Sequence, residues 1–163
     1  MKSLKYINQI KKRGYCIIKN YFKNEEIQIL INLVNKNYKS INYKGLPSRD
    51  KKDKIIYNLQ NKDIYFIKLL QKPTIVEICK KFLDDEYFRL IDKKRPNYIL
   101  SYYNARSSGE KLDLHIDSHM PYLGNKIFMM QFAIILEDQN RENGCTTIVP
   151  YSHKSGKFTN RKT

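Results

Sequence analysis

The chain has 163 residues, of which 41% are hydrophobic and 12% aromatic. That is enough for one domain with a core, and it excludes a disordered polar chain. No apolar run is long enough to cross a bilayer, and the opening Met1–Tyr6 lacks the continuous apolar segment of a secretory signal. The expected location is therefore the cytoplasm, with no membrane partner. Lys and Arg outnumber Asp and Glu by 31 to 16, a net charge of +15. A charge of that size fits a nucleic-acid binder. Here the lysines are scattered (Lys11-Lys12, Lys51-Lys52, Lys80-Lys81, Lys93-Lys94) and no basic stripe with interleaved stacking aromatics stands out. Lys also rises together with Asn, Ile and Tyr, all residues of AT-rich codons, so composition alone accounts for the charge. Nucleic acid is not the expected partner, whereas attraction to small anions stays open.

Gly14 to Lys19 reads as a short strand after a glycine turn. Lys23-Asn24-Glu25-Glu26 opens an amphipathic helix with Ile27, Leu30, Ile31 and Val34 at helical spacing, Asn24 as its N-cap and acids in the first turn. Residues 39 to 54 are polar and predict a loop. Asn61 to Leu70 and Pro73 to Leu83 predict two helices, the second with Pro73 in its first turn and Ile75, Ile78, Cys79 and Phe82 on its apolar face. Cys16, Cys79 and Cys145 form no C-x-x-C pair, so a zinc knuckle or disulfide framework is not indicated, and the three read as small buried hydrophobes.

After Asp84-Asp85 the character changes. Tyr98 to Tyr103, Leu112 to Asp117, Ile127 to Leu136 and Thr146 to Val149 are rich in β-branched and aromatic residues, and Gly109, Gly124 and Asn143-Gly144 divide them. Helices first and strands later predict an α+β layout, with the helices buttressing a sheet. Within the second strand-like segment lies Leu114-His115-Ile116-Asp117. Residues two apart on a strand share a face, so His115 and Asp117 project together. An imidazole and a carboxylate so placed are two thirds of a 2-His-1-carboxylate facial triad for Fe(II). A lone H-x-D is also the pattern of a surface hydrogen-bonded pair, so its surroundings decide.

Those surroundings run in order. Ile99-Leu100-Ser101-Tyr102-Tyr103-Asn104 comes first, and Gly109 to Asp117 follows. Next is Met130 to Asp138, and then Glu142-Asn143-Gly144-Cys145-Thr146-Thr147-Ile148-Val149-Pro150-Tyr151-Ser152-His153-Lys154. H-x-D, a strand ending in an acidic turn, E-N-G, a strand and V-P-x-S-H-K in this order resemble the phytanoyl-CoA dioxygenase family of Fe(II)/2-oxoglutarate-dependent oxygenases. Tyr57 to Asp63, the helix from Pro73 and the opening Gly-Tyr-x-Ile-Ile-Lys extend the likeness over nearly the whole chain.

The resemblance implies one domain over residues 1–163. Its N-terminal helical part (about 1–95) would pack on the first half (about 96–163) of a double-stranded β-helix, a jelly-roll, cupin-like sheet. It implies Fe(II) held by His115 and Asp117, 2-oxoglutarate as cosubstrate, and hydroxylation of a small organic or acyl substrate. It places Lys54, Tyr102 and Gln131 where they would bind the cosubstrate, and His153 on the pocket rim. It also implies a second histidine and a carboxylate-anchoring arginine downstream of the Ser-His-Lys element, and the sequence reaches Thr163 before either. The expectation is thus a fragment with an incomplete site, to be completed by a second chain or a C-terminal half. His153 and Arg161 mimic the spacing of the distal pair, but His153 sits inside the Ser-His-Lys element itself. His119 follows Asp117 by two, and Pro121 argues for a loop there. Asp113 shares the strand face of His115 and Asp117. Tyr151 stands where the family has glycine. The alternative is a non-catalytic binding protein, for an anionic ligand or nucleic acid, on a degenerate oxygenase scaffold. The substrate itself is not legible.

Overall fold

The structure is a computed structural model that describes residues 3–42, 54–84, 92, 94–107, 112–117 and 127–157. His119, Pro121, Arg161, Gly109, Gly124 and most of the predicted 39–54 loop lie outside the described residues. Helix α1 covers Leu4–Arg13 and α2 covers Asn24–Ser40. Strand β1 is Ile55–Ile56, and a 3-10 turn follows at Leu59–Asn61. Helix α3 is Ile64–Leu70, α4 is Pro73–Leu83, β2 is Ala105–Arg106, and a second 3-10 turn spans Ser152–Lys154.

Local chemistry accounts for most helix ends. Helix α1, which was not predicted, buries Ile7 and Ile10 one turn apart and ends on Lys11, Lys12 and Arg13, where cations meet the negative end of the helix dipole. Gly14 then turns left-handed (φ 89°), and its N–H closes on the Ile10 carbonyl at 2.8 Å, an αL cap that only glycine enters freely. In α2 the cap position falls on Lys23 rather than Asn24. The Lys23 N–H donates to Glu26 Oε2 at 3.0 Å, so the first-turn acid satisfies a backbone donor that a side-chain cap would otherwise address. The predicted 61–70 helix splits. Asp63 caps α3 by accepting from the Tyr65 N–H at 2.8 Å, and the residues before it form the 3-10 turn. Helix α4 starts on Pro73 and ends at Leu83, as its sequence predicts.

Two apolar clusters hold these elements. Leu30 and Val34 of α2 meet Ile56, Leu59, Phe66 and Leu69 in one. Ile7 and Ile10 of α1 meet Ile78 of α4 in the other, with Cys16, Ile18 and Phe82 against them. Lys72 ties α2 to the start of α4. Its Nζ lies 2.7 Å from Glu26 Oε1 and 4.9 Å from the centre of the Phe22 ring. The lysine bond, with the Lys23 amide, holds the Glu26 carboxyl below its usual range. The three cysteines are free thiols, and burial pushes Cys16 and Cys79 up, which suits packing and not nucleophilic attack.

The strand expectations need correction. Among the described residues the hydrogen-bonded sheet is the antiparallel pair β1–β2, with Ile55 opposite Arg106 and Ile56 opposite Ala105. The arrangement is mixed α+β, but its ladder is two residues long. Residues 15–18, 98–104, 112–117, 127–136 and 145–149 are not strands. They run without ladder partners among the described residues, and alternation in sequence makes a strand only when a neighbour supplies the hydrogen bonds. Their packing is real nonetheless. Ile134 and Leu136 rest on the first cluster and Met130 on the second, so 127–136 bridges both.

Candidate metal centre

Leu112 to Asp117 is exposed throughout. Within it the His115 ring is oriented by its own backbone, Nδ1 lying 2.7 Å from the Asp113 carbonyl oxygen. A carbonyl only accepts, so Nδ1 carries the proton, and in the neutral ring the lone pair sits on Nε2. That Nε2 lies 3.2 Å from Asp117 Oδ1. In the neutral ring Nε2 and the carboxylate oxygen are both electron-pair donors. The contact is therefore favourable only if a proton or a metal cation joins it. Two ligands about 2.1 Å from one metal at a right angle sit about 3.0 Å apart, so the 3.2 Å separation fits neighbouring positions on an octahedron. A second ring nitrogen held by a backbone carbonyl is also the usual support of a metal-bound histidine. The donor set and its geometry fit a divalent cation such as Fe(II). Both side chains remain open to solvent, 52% for His115 and 39% for Asp117, which leaves room for further ligands.

Two of the cosubstrate candidates gather at this pair. The Tyr102 hydroxyl is pushed up first by partial burial and then by the negative charge of Asp117, so Tyr102 lies within the electrostatic reach of the carboxylate. Gln131 Nε2 donates to the Tyr102 hydroxyl oxygen at 3.4 Å, a long bond. Its neighbour Met130 packs against the α1–α4 cluster, while Gln131 is exposed.

The other two candidates lie elsewhere. Lys54 is exposed just before β1, in a left-handed conformation (φ 44°). Among the described residues it makes no contact with His115 or Asp117. His153 packs on α1: its Nε2 is 3.2 Å from the Lys11 carbonyl oxygen, and its Nδ1 is buried against Gly14 with no hydrogen-bond partner. The Tyr151 N–H donates to the Arg13 carbonyl at 2.8 Å beside it. The Ser-His-Lys element thus clasps the end of α1. Sequence reasoning missed both the Asp113 carbonyl, a main-chain group invisible to residue type, and the Gly14–His153 contact, which joins residues 139 positions apart. Among the described residues no three His, Cys, Asp or Glu side chains come together to hold a metal ion. A shallow depression along α2, lined by Asn32, Asn35, Lys36, Lys39 and Ser40, includes none of these residues.

His115 and Asp117 thus meet on one exposed segment, with Tyr102 and its bonded Gln131 within electrostatic reach of the carboxylate. The family model for phytanoyl-CoA dioxygenase (PhyH) matches residues 10–163, and the chain belongs to that family. Neither the curated proteins nor the solved structures contain a match. Membership points to Fe(II)/2-oxoglutarate-dependent oxygenase activity in general, since the family uses Fe(II) and 2-oxoglutarate. No helix among the described residues is long and apolar enough to cross a membrane.

Proposed function

We propose that this chain carries the iron-holding part of an Fe(II)/2-oxoglutarate-dependent hydroxylase of a small organic or acyl substrate, built on a jelly-roll scaffold. His115 and Asp117 are its two ligands in this chain. The observation that supports this most directly is the 3.2 Å convergence of His115 Nε2 and Asp117 Oδ1, with Nδ1 turned back onto Asp113. When bound, Fe(II) supplies the redox chemistry that activates O2 with 2-oxoglutarate. The chain's own residues orient it. Asp113 keeps His115 in the one tautomer that offers a lone pair, and Asp117 adds the negative charge that favours a divalent cation. The Tyr102 hydroxyl and the Gln131 amide present hydrogen-bonding groups on the same side, suited to a carboxylate of the cosubstrate. Two protein ligands make a weaker site than three, and no third ligating side chain joins them among the described residues.

Mn(II) titration of the purified chain, read by the loss of the free-ion EPR signal, tests this without relying on turnover. Binding is expected, and His115→Ala is expected to weaken it by about tenfold or more, the scale of losing one ligand from a weak site. An Ala substitution at His153 should leave it unchanged. Failure of the wild type to bind, or equal binding by His115→Ala, would turn the reading toward a non-catalytic binding protein. The lack of a third ligating side chain among the described residues is the observation that favours that alternative.

A further inference from the structure

All 16 Asp and Glu of the chain lie between residues 25 and 142. The stretches on either side, 1–24 and 143–163, hold 7 and 4 Lys or Arg and no acid. The fold joins these two acid-free stretches. The Tyr151 N–H donates to the Arg13 carbonyl at 2.8 Å, His153 Nε2 lies 3.2 Å from the Lys11 carbonyl oxygen, and the imidazole rests on Gly14. Lys11, Lys12 and Arg13 at the end of α1 are thereby brought near Lys154 and Lys157, and all five are exposed. None of the five has an ion-pair partner among the described residues. The carbonyls of Ile10, Lys11 and Arg13 are taken by Gly14, His153 and Tyr151, so internal donors and not these cations satisfy the negative end of the helix. Sequence order conceals the cluster, because Arg13 and Tyr151 are 138 positions apart.

Apolar side chains stand exposed around the same contact. Ile17, shortly after Arg13, is 67% exposed, and Ile148, Val149 and Tyr151, shortly before His153, are 50%, 45% and 53% exposed. We infer that this corner of the fold is a peripheral attachment site for an anionic lipid bilayer. The cations meet the lipid headgroups, and the apolar side chains enter the interface between them. Charge complementarity selects an anionic occupant, because cations without acidic partners keep their full attraction for one. The aliphatic side chains select a bilayer over a nucleic acid. Nucleic acid is held by cations on its phosphates and by rings that stack on its bases. Among the described residues the contact offers one well-exposed ring, Tyr151, against three exposed aliphatic side chains. A bilayer interface accepts all four, and tyrosine is enriched there. Attachment to a surface needs no spanning helix. The inference uses neither His115 nor Asp117, so it stands or falls separately from the metal reading.

Co-sedimentation of the purified chain with large unilamellar vesicles tests it. Binding is expected to phosphatidylcholine vesicles that contain about 30% phosphatidylserine, and not to phosphatidylcholine alone. It should fall steeply between about 0.1 and about 0.5 M NaCl, as screening shortens the reach of the cations. Lys12→Glu and Lys154→Glu, on opposite sides of the contact, should each weaken it about tenfold or more, because each reversal removes two charges of attraction at about fivefold per charge. The same reversal at Lys36, exposed on α2 in the other apolar cluster, gives the same net charge and should weaken binding at most about twofold. Ile17→Ser should weaken it about fivefold or more through lost apolar burial. Circular dichroism checks that the helices survive each change. Should Lys154→Glu loosen the contact, Lys12→Glu decides, since Lys12 takes no part in its hydrogen bonds. No binding to the anionic vesicles, equal binding to neutral ones, equal losses from Lys36→Glu and Lys12→Glu, or tighter binding to a single-stranded oligonucleotide at equal phosphate would overturn the inference.

Discussion

Replacing Gly14 with Ala probes the contact that joins the two ends of the described chain. Gly14 holds φ 89°, and a Cβ built on it would lie 2.5 Å from His153 Nδ1 and 2.9 Å from its Cγ. Alanine in the left-handed region costs about 1 kcal/mol. The imidazole must also move, and its 3.2 Å contact with the Lys11 carbonyl is lost, for about 1 kcal/mol more. The stiffer unfolded chain returns about 0.5 kcal/mol. The net is a destabilisation of about 1.5–2 kcal/mol, or about 3–8 °C in Tm for a chain of this size. Far-UV circular dichroism melts measure it, and a double-mutant cycle with His153→Ala separates the terms. Without the imidazole the collision is gone, so Gly14→Ala should cost only the backbone term, a coupling of about 1 kcal/mol. Equal cost in both backgrounds, or no cost in either, would refute the placement of His153 on α1. It would also reopen His153 as a group available to the metal site.

Tyr151 is left-handed too (φ 68°), although its side chain is half exposed. Tyr151→Gly should therefore stabilise the chain by up to about 1 kcal/mol, the relieved strain being partly offset by the entropy of glycine, and a lowered Tm would contradict the left-handed assignment. Tyr103, half-buried over Phe66, has its hydroxyl pushed by burial from 10.0 up to about 12. The raised value means that its stabilisation is fully present below about pH 10 and is lost as pH climbs toward about 12, because the unfolded chain gives up the proton first. Tyr103→Phe should cost at most about 1 kcal/mol at neutral pH, since the Tyr103 bond to the Phe66 carbonyl is long at 3.4 Å. It should also regain on the order of 1 kcal/mol relative to wild type near pH 11, after discounting for partial exposure. Urea midpoints at the two pH values measure this, and parallel alkaline losses in both proteins would count against it.

The helices were legible where a local rule suffices. Pro73 announces the start of α4, and Ile75, Ile78, Cys79 and Phe82 mark its inner face. Helix α1 carried the same kind of signal in Leu4, Ile7, Ile10 and a following glycine, and the basic residues around them concealed it. The order H-x-D, E-N-G and V-P-x-S-H-K was sufficient for the family, because it depends on residue types at fixed places along the chain. Even Tyr151 follows this pattern: the family's glycine is absent, yet the backbone keeps a glycine-like conformation.

Strands were over-read because alternation records which side chains face inward, whereas a strand also needs a hydrogen-bonded neighbour, which is a non-local fact. The spacing of two predicted that His115 and Asp117 project together as on a strand; residues 112–117 are not a strand, yet the two side chains meet, and the structure adds what spacing cannot carry. The Asp113 carbonyl selects the tautomer, the two donor atoms meet at 3.2 Å, and Tyr102 and Gln131, 29 residues apart, join beside them. The sequence by itself determined which groups are present and which share a face. Only the tertiary structure decided which of them meet, because contact between distant residues depends on the packing of α1, α4 and the 127–136 segment. That packing puts His153 on α1 and leaves His115 and Asp117 open to solvent.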